Sequence, residues 1–331
     1  MKSGFVSQVL GSTQRIPLPI GVYAGLEITG ASVKDAVTTP SAQAEAVLAL
    51  HTRFQTDALL TAMDLSVEAD AFGCTIRMEE DDIPTVIGRL VQTPEEIRQL
   101  LTPHAGQGRT AVHLEAARQL VAARTGFPVL GGVIGPFSLA GRLFGVSEAL
   151  ELSITDPEAL TALLEKATHF LVDYVQAFRQ AGAAGVIMAE PAAGLLSPRS
   201  LARFSSALVR QIIEQCQTED FTLILHNCGA RIQHLPRILE AGAEMYHFGV
   251  PMDLLQALGQ VDSGVILAGN LDPTDLFYSG TPQDVRQKTL TLLNQTATYQ
   301  NFVISSGCDI PPHTPVENLD AFFQTVRGWA G

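Results

Sequence analysis

The order in which apolar and amphipathic segments alternate limits the fold of this chain more than any other feature. Short apolar or β-branched runs recur eight times, separated by longer stretches, most of them amphipathic. The runs are Pro17–Tyr23, Leu59–Asp64, Pro128–Gly135, Gly185–Glu190, Thr222–Asn227, Glu244–Phe248, Gly264–Gly269 and Phe302–Ser306. Strands joined through helices pair in parallel, because the crossover returns the chain to the same end of the sheet. Eight such units either close into a barrel or open into a doubly wound sheet. No Gly-x-Gly-x-x-Gly follows the first run and no Walker loop occurs, so the usual nucleotide-binding loops are missing. The expected fold is therefore α/β, a (β/α)8 TIM barrel.

Helix punctuation supports the division. Asp156-Pro157-Glu158 caps and opens a helix that runs to Gln180 and stops at Ala181-Gly182. Ser197-Pro198 and Thr314-Pro315 open two more. Cys74–Gly88 breaks the rhythm after the second strand and reads as a small inserted hairpin, followed by extra helices near Pro94–Leu101 and Gly108–Thr125. The acids Glu79, Glu80, Asp81 and Asp82 in the insert lack the spaced ligands and glycine of a calcium loop and read as a solvated turn. No linker, low-complexity segment or internal repeat interrupts residues 1–331, which read as one domain.

Composition narrows the function. The 331 residues are 46% hydrophobic and 17% charged, enough to bury a large core. A net charge of −13 argues against nucleic acid, whose phosphates need clustered Lys and Arg. No apolar run reaches the ~18 residues needed to cross a bilayer, and no apolar block of a signal peptide follows Lys2. A cytoplasmic location is expected. There the four cysteines, Cys74, Cys216, Cys228 and Cys308, are more often buried, catalytic or metal-bound than paired in disulfides.

In a barrel the C-terminal strand ends carry the active site. The fifth run ends Leu225-His226-Asn227-Cys228-Gly229 and the eighth ends Ile304-Ser305-Ser306-Gly307-Cys308-Asp309. Residues i and i+2 of an extended chain point to one side, so His226 and Cys228 can meet a single ion, with Cys308 as a third ligand. One nitrogen and two sulfurs suit Zn²⁺ and leave a position for substrate. A lone His-x-Cys is also a chance pairing with cysteine as a small hydrophobe. From the residues alone both readings stand.

At these segments the chain resembles the uroporphyrinogen decarboxylase superfamily, and within it the cobamide-dependent methyltransferases. The likeness spans nearly the whole chain. It is carried by Met63-Asp64, Gly135-Pro136-Phe137-Ser138, Glu190-Pro191-Ala192-Ala193, His226-Asn227-Cys228-Gly229, Gly269-Asn270-Leu271-Asp272-Pro273 and Gly307-Cys308-Asp309-Ile310-Pro311-Pro312. The resemblance implies zinc on His226, Cys228 and Cys308. It also implies a corrinoid (methylcobamide) as co-substrate, carried on a separate corrinoid protein, and a small thiol such as coenzyme M as methyl acceptor. The same scaffold could run the reverse half-reaction from a methoxy, methylamine or thioether donor. Porphyrinogen decarboxylation is a further alternative, disfavoured because Val22-Tyr23-Ala24-Gly25-Leu26-Glu27 lacks the paired arginines of that branch. A barrel that binds a corrinoid without catalysis is the last.

Remaining candidates sit at the same strand ends. Glu190 is expected either to act on the substrate thiol or to be displaced from the metal by it, and Asp64 to orient a ligand. Gly135, Asn270 and His247 are expected to border the corrinoid. Each has a plainer role open to it: a helix cap for Glu190 and Asp64, a tight turn for Gly135, turn chemistry for Asn270, core packing for His247.

Overall fold

The computed structural model describes residues 2–330. Seven parallel strands form one curled sheet: β1 (Leu59–Leu60), β4 (Val129–Ile134), β5 (Gly185–Ala189), β6 (Thr222–Asn227), β7 (Met245–Phe248), β8 (Ile266–Leu271) and β9 (Phe302–Ser306), hydrogen-bonded in that order. Most of their residues are buried on both faces, as expected where helices cover the sheet outside and side chains fill it inside. The expected insert is present as the antiparallel hairpin β2 (Thr75–Arg77) and β3 (Thr85–Ile87), with the four acids at its turn. Helices Pro94–Gln99 and Thr110–Ala122 follow it.

The first expected strand differs. Pro17–Tyr23 forms no strand: Pro17 makes a single parallel bridge to Ile304, and Val22–Gly25 turns into a 3-10 helix. The prolines explain this. The Leu18 amide donates to Ile304 O (2.9 Å) and the Ile20 amide to Ser306 Oγ (3.0 Å), both toward β9. Alternate amides face the opposite side, toward β1, and at residues 17 and 19 they are missing because proline has no N–H. The facing side of β1 is satisfied otherwise: the Ala62 amide donates to Gln43 Oε1 (3.1 Å), whose own amide nitrogen is held on Ala36 O (2.7 Å). A glutamine from helix Pro40–Phe54 thus stands where a ladder bond would close the sheet.

The longest helix shows how the outer layer is held. Asp156 accepts from the Ala159 amide (3.1 Å) as N-cap, and Pro157 occupies the first turn. Leu160, Leu163, Leu164, Phe170, Leu171, Tyr174 and Phe178 bury one face against the sheet and neighbouring helices. Each of these side chains contributes ~1.5–3 kcal/mol of transfer free energy. No helix among the described residues is long and apolar enough to cross a membrane.

Candidate metal centre

His226 lies on β6 in register between Ala189 of β5 and His247 of β7. Cys228 follows in the turn beyond β6, and Cys308 in the turn beyond β9. The fold brings all three together: one ligand atom from each lies within 4.8 Å of the others. Gly249 permits this, since a β-carbon there would stand 2.3 Å from the Cys228 carbonyl oxygen. His226 is buried, and Cys228 and Cys308 are each partly exposed.

The two thiols are coupled. The bond to Cys308 draws the Cys228 pKa down to about 7, and the same bond, with burial, pushes Cys308 up to about 12. Asp309, next in the chain, has both carboxylate oxygens buried without a partner, and burial raises its pKa well above the usual range.

His247 is wholly buried and does not reach the mouth. Its Nδ1 lies 2.8 Å from Nδ1 of His226 and its Nε2 lies 2.7 Å from Ser305 Oγ. Burial, and then the neighbouring His226, hold its pKa well below the usual value, so the ring is neutral.

A model of the uroporphyrinogen decarboxylase (URO-D) family matches residues 14–329. The chain belongs to the uroporphyrinogen decarboxylase family. Among curated relatives, a methylcobamide:CoM methyltransferase of Methanosarcina acetivorans is 27% identical over 92% of this chain and 89% of its own length. A methylated-thiol–coenzyme M methyltransferase of Methanosarcina mazei is 28% identical over 80% of this chain and 70% of its own. A uroporphyrinogen decarboxylase of Psychromonas ingrahamii is 27% identical over 83% and 79%. A methyltransferase structure from Methanosarcina mazei superposes with a TM-score of 0.88 at 24% identity, covering 98% of this chain and 97% of that one. That likeness concerns the fold.

Within this member of the family, the other expected residues take these places. Glu190 ends β5 outside the three-ligand group. Its carboxylate is buried at the start of helix Pro136–Phe144, accepting from the amides of Phe137 (2.8 Å) and Ser138 (2.9 Å) and the hydroxyls of Ser138 (2.6 Å) and Ser205 (3.1 Å). Burial raises its pKa, and these four bonds oppose the shift. Gly135 precedes that helix and packs directly on Glu190. Asn270 donates to the carbonyls of Gly249 (3.1 Å) and Met252 (2.8 Å), fastening the loop after β7.

Asp64 is buried in a bond with the Arg109 guanidinium and also accepts from the Ser66 amide (2.9 Å) and hydroxyl (2.6 Å). Arg109 carries the pair further, with Nη2 on Ser66 Oγ (2.7 Å). Nearby, Glu68 accepts from the Ile134 amide (2.8 Å) through one oxygen while the other is buried alone; burial raises its pKa to about 8. His113 is buried with neither ring nitrogen bonded, and its pKa falls to about 4. Reading the sequence did not single out Arg109, Ser305, Glu68 or His113. Arg109 and His113 lie in the extra helical segment, where no strand-end rule applies. Ser305 does carry a signal, as one of two serines that end an otherwise apolar strand, three positions before Cys308.

Proposed function

We propose that this chain is a zinc-dependent methyltransferase that moves a methyl group from a corrinoid to a small thiol. The observation that carries the reading is the convergence of His226, Cys228 and Cys308 within 4.8 Å. An imidazole and two thiols are a donor set fitted to Zn²⁺, and three protein ligands leave a place for substrate. Zn²⁺ held there would keep a substrate thiol ionised near neutral pH.

The residues supply position and protonation. Cys228, already drawn toward the thiolate, and Cys308 bring negative charge that favours a thiolate nucleophile over a polarised water. A substrate thiolate held beside Cys228 and Cys308 would take the methyl carbon from a corrinoid donor, its S–C bond forming as the Co–C bond broke and the electron pair leaving with cobalt as Co(I). Leu195, Val250 and Tyr278, in the segments after β5, β7 and β8, are exposed, largely apolar side chains that follow the C-terminal ends of parallel strands, as Cys228 and Cys308 do after β6 and β9. They suit docking of a macrocycle and its carrier, a separate corrinoid protein. The names of the methylcobamide and methylated-thiol relatives agree with this chemistry.

The test is direct. Reductively purified protein should contain about one zinc per chain and should demethylate methylcobalamin in the presence of a thiol drawn from a panel including coenzyme M. Cys308→Ala should lose both zinc and turnover while keeping the wild-type circular dichroism spectrum. Protein without zinc, or activity that survives in Cys308→Ala, would overturn the reading. Porphyrinogen turnover would favour the decarboxylase chemistry, and methyl transfer only from a methylated thioether, amine or methoxy donor would reverse the direction.

A further inference from the structure

Two side chains outside the ligand group, Ser305 and His247, form with the Leu18 carbonyl a directed chain of hydrogen bonds that ends on one of the ligands. The Ser305 hydroxyl donates to the Leu18 carbonyl at 2.6 Å. A carbonyl only accepts, so the one hydroxyl hydrogen of Ser305 is committed there. His247 Nε2 lies 2.7 Å from the same Oγ and must therefore be the donor. A neutral ring with hydrogen on Nε2 has a bare Nδ1. That bare nitrogen lies 2.8 Å from His226 Nδ1, so the hydrogen between them belongs to His226. The His247 carbonyl, 3.3 Å from the same nitrogen, can also only accept, and agrees.

We propose that His247 and Ser305 are positioning residues that lock His226 in the Nδ1–H form and so present Nε2 as the free lone pair toward Cys228 and Cys308. Each end of the chain is fixed by an element whose hydrogen bonding leaves no alternative. At the far end stands Leu18, in the proline-flanked segment that forms no strand. Its amide is used on Ile304 and its carbonyl on Ser305. At the near end the two rings meet edge to face, centroids 4.7 Å apart at 74°, which points an N–H of one toward the nitrogen edge of the other. β8 lies between β7 and β9 in the sheet, so His247 reaches Ser305 across the barrel interior rather than along a ladder. Loss of the Ser305 hydroxyl would leave two buried polar groups, the Leu18 carbonyl and His247 Nε2, without that partner away from water.

This inference rests on the zinc reading only for its purpose; the tautomer itself is a property of the metal-free chain. Metal-free protein labelled with 15N-histidine should show His226 protonated on Nδ1 with Nε2 bare. Competition against a chromophoric chelator should give zinc binding about 10–100-fold weaker in Ser305→Ala than in the wild type, the usual effect of removing a group behind a metal ligand. Ser305→Thr, which keeps the hydroxyl, should hold the wild-type affinity, as simple filling of space would not require. Hydrogen on Nε2 of His226 in the wild-type spectrum overturns the proposal, whether or not the variants fold. Equal zinc affinity in Ser305→Ala and wild type overturns it too. Failure of the wild type itself to bind zinc would instead remove the proposed function, and the nitrogen spectrum would still decide the tautomer.

Discussion

Gly135 leaves the space that Glu190 fills: a β-carbon on Gly135 would stand 2.1 Å from Cγ and 2.5 Å from Cδ of the glutamate. Both residues sit where strand chemistry is expected, one after β4 and one after β5, and the pair works as a joint. The missing side chain lets a carboxylate after β5 reach the first amides of the helix that follows the preceding strand, β4. Negative charge at a helix N-terminus is stabilising, and here it is buried and four-fold bonded.

Gly135→Ala should therefore unseat Glu190. Overpacking of this kind costs about 1–3 kcal/mol, and the lost bonds to Phe137 and Ser138 add to it. Urea unfolding of the variant at pH 7 measures the loss. Glu190→Gln keeps the shape but cannot accept on both oxygens, and should show a smaller loss with zinc content unchanged. A variant Gly135→Ala as stable as the wild type would contradict the joint.

Asp64 and Arg109 should behave as a buried pair, not as ligand groups. Removing one partner leaves a charge without compensation, so Asp64→Ala should cost about 3–5 kcal/mol, while replacing both at once, Asp64→Leu with Arg109→Met, should cost much less. The readouts are denaturant midpoints and zinc content. Loss of zinc in folded Asp64→Ala protein would show instead that the aspartate reaches the metal site.

Proton release on zinc uptake should report the coupled thiols. With Cys228 near 7 and Cys308 near 12, the pair carries one proton at pH 8.5 and moves toward two below pH 7. Thiolates are the ligands, so zinc should displace about one proton from the cysteines at pH 8.5 and a number rising toward two as the pH falls to 6.5. Calorimetry in two buffers of different ionisation enthalpy counts them. About 1.5 protons at pH 8.5, the number two independent thiols at the ordinary 9.0 would carry, would mean that the sulfurs titrate independently.

Glu68 should make the protein less stable as pH rises. Its folded-state pKa, about 8, lies above the 4.5 of the free side chain. The folded chain therefore binds a proton that the unfolded chain gives up across this window, and stability falls from pH 4.5 to 8, by at most about 1.4 kcal/mol per pH unit from this group. Above pH 8 the contribution levels off. Glu68→Gln can still accept from the Ile134 amide and should flatten the profile. Chemical denaturation at pH 5 and pH 8 compares the two, and an unchanged slope would refute the assignment.

The alternation of apolar runs with amphipathic stretches was enough, by itself, to set the parallel α/β class and the inserted hairpin, because strand order is a local rule; it marked His226, Cys228 and Cys308 only as candidates, and the fold is what brings them within 4.8 Å. The same alternation placed Glu190 directly after a strand as well, whereas Asp64 lies four residues beyond β1 and Asn270 within β8. What those residues touch was not local. Glu190 meets a helix start 52 residues away, measured to Ser138, and Asp64 meets an arginine 45 residues on. His247 reads as a candidate for the mouth and lies under it, joined to Ser305. Pro17 and Pro19 looked like the opening of a strand until the direction of the neighbouring amides showed which ladder bonds they delete. Only the folded chain decides such partners, because a buried donor takes whichever acceptor closure of the sheet brings within 3 Å, and no spacing along the chain encodes that choice.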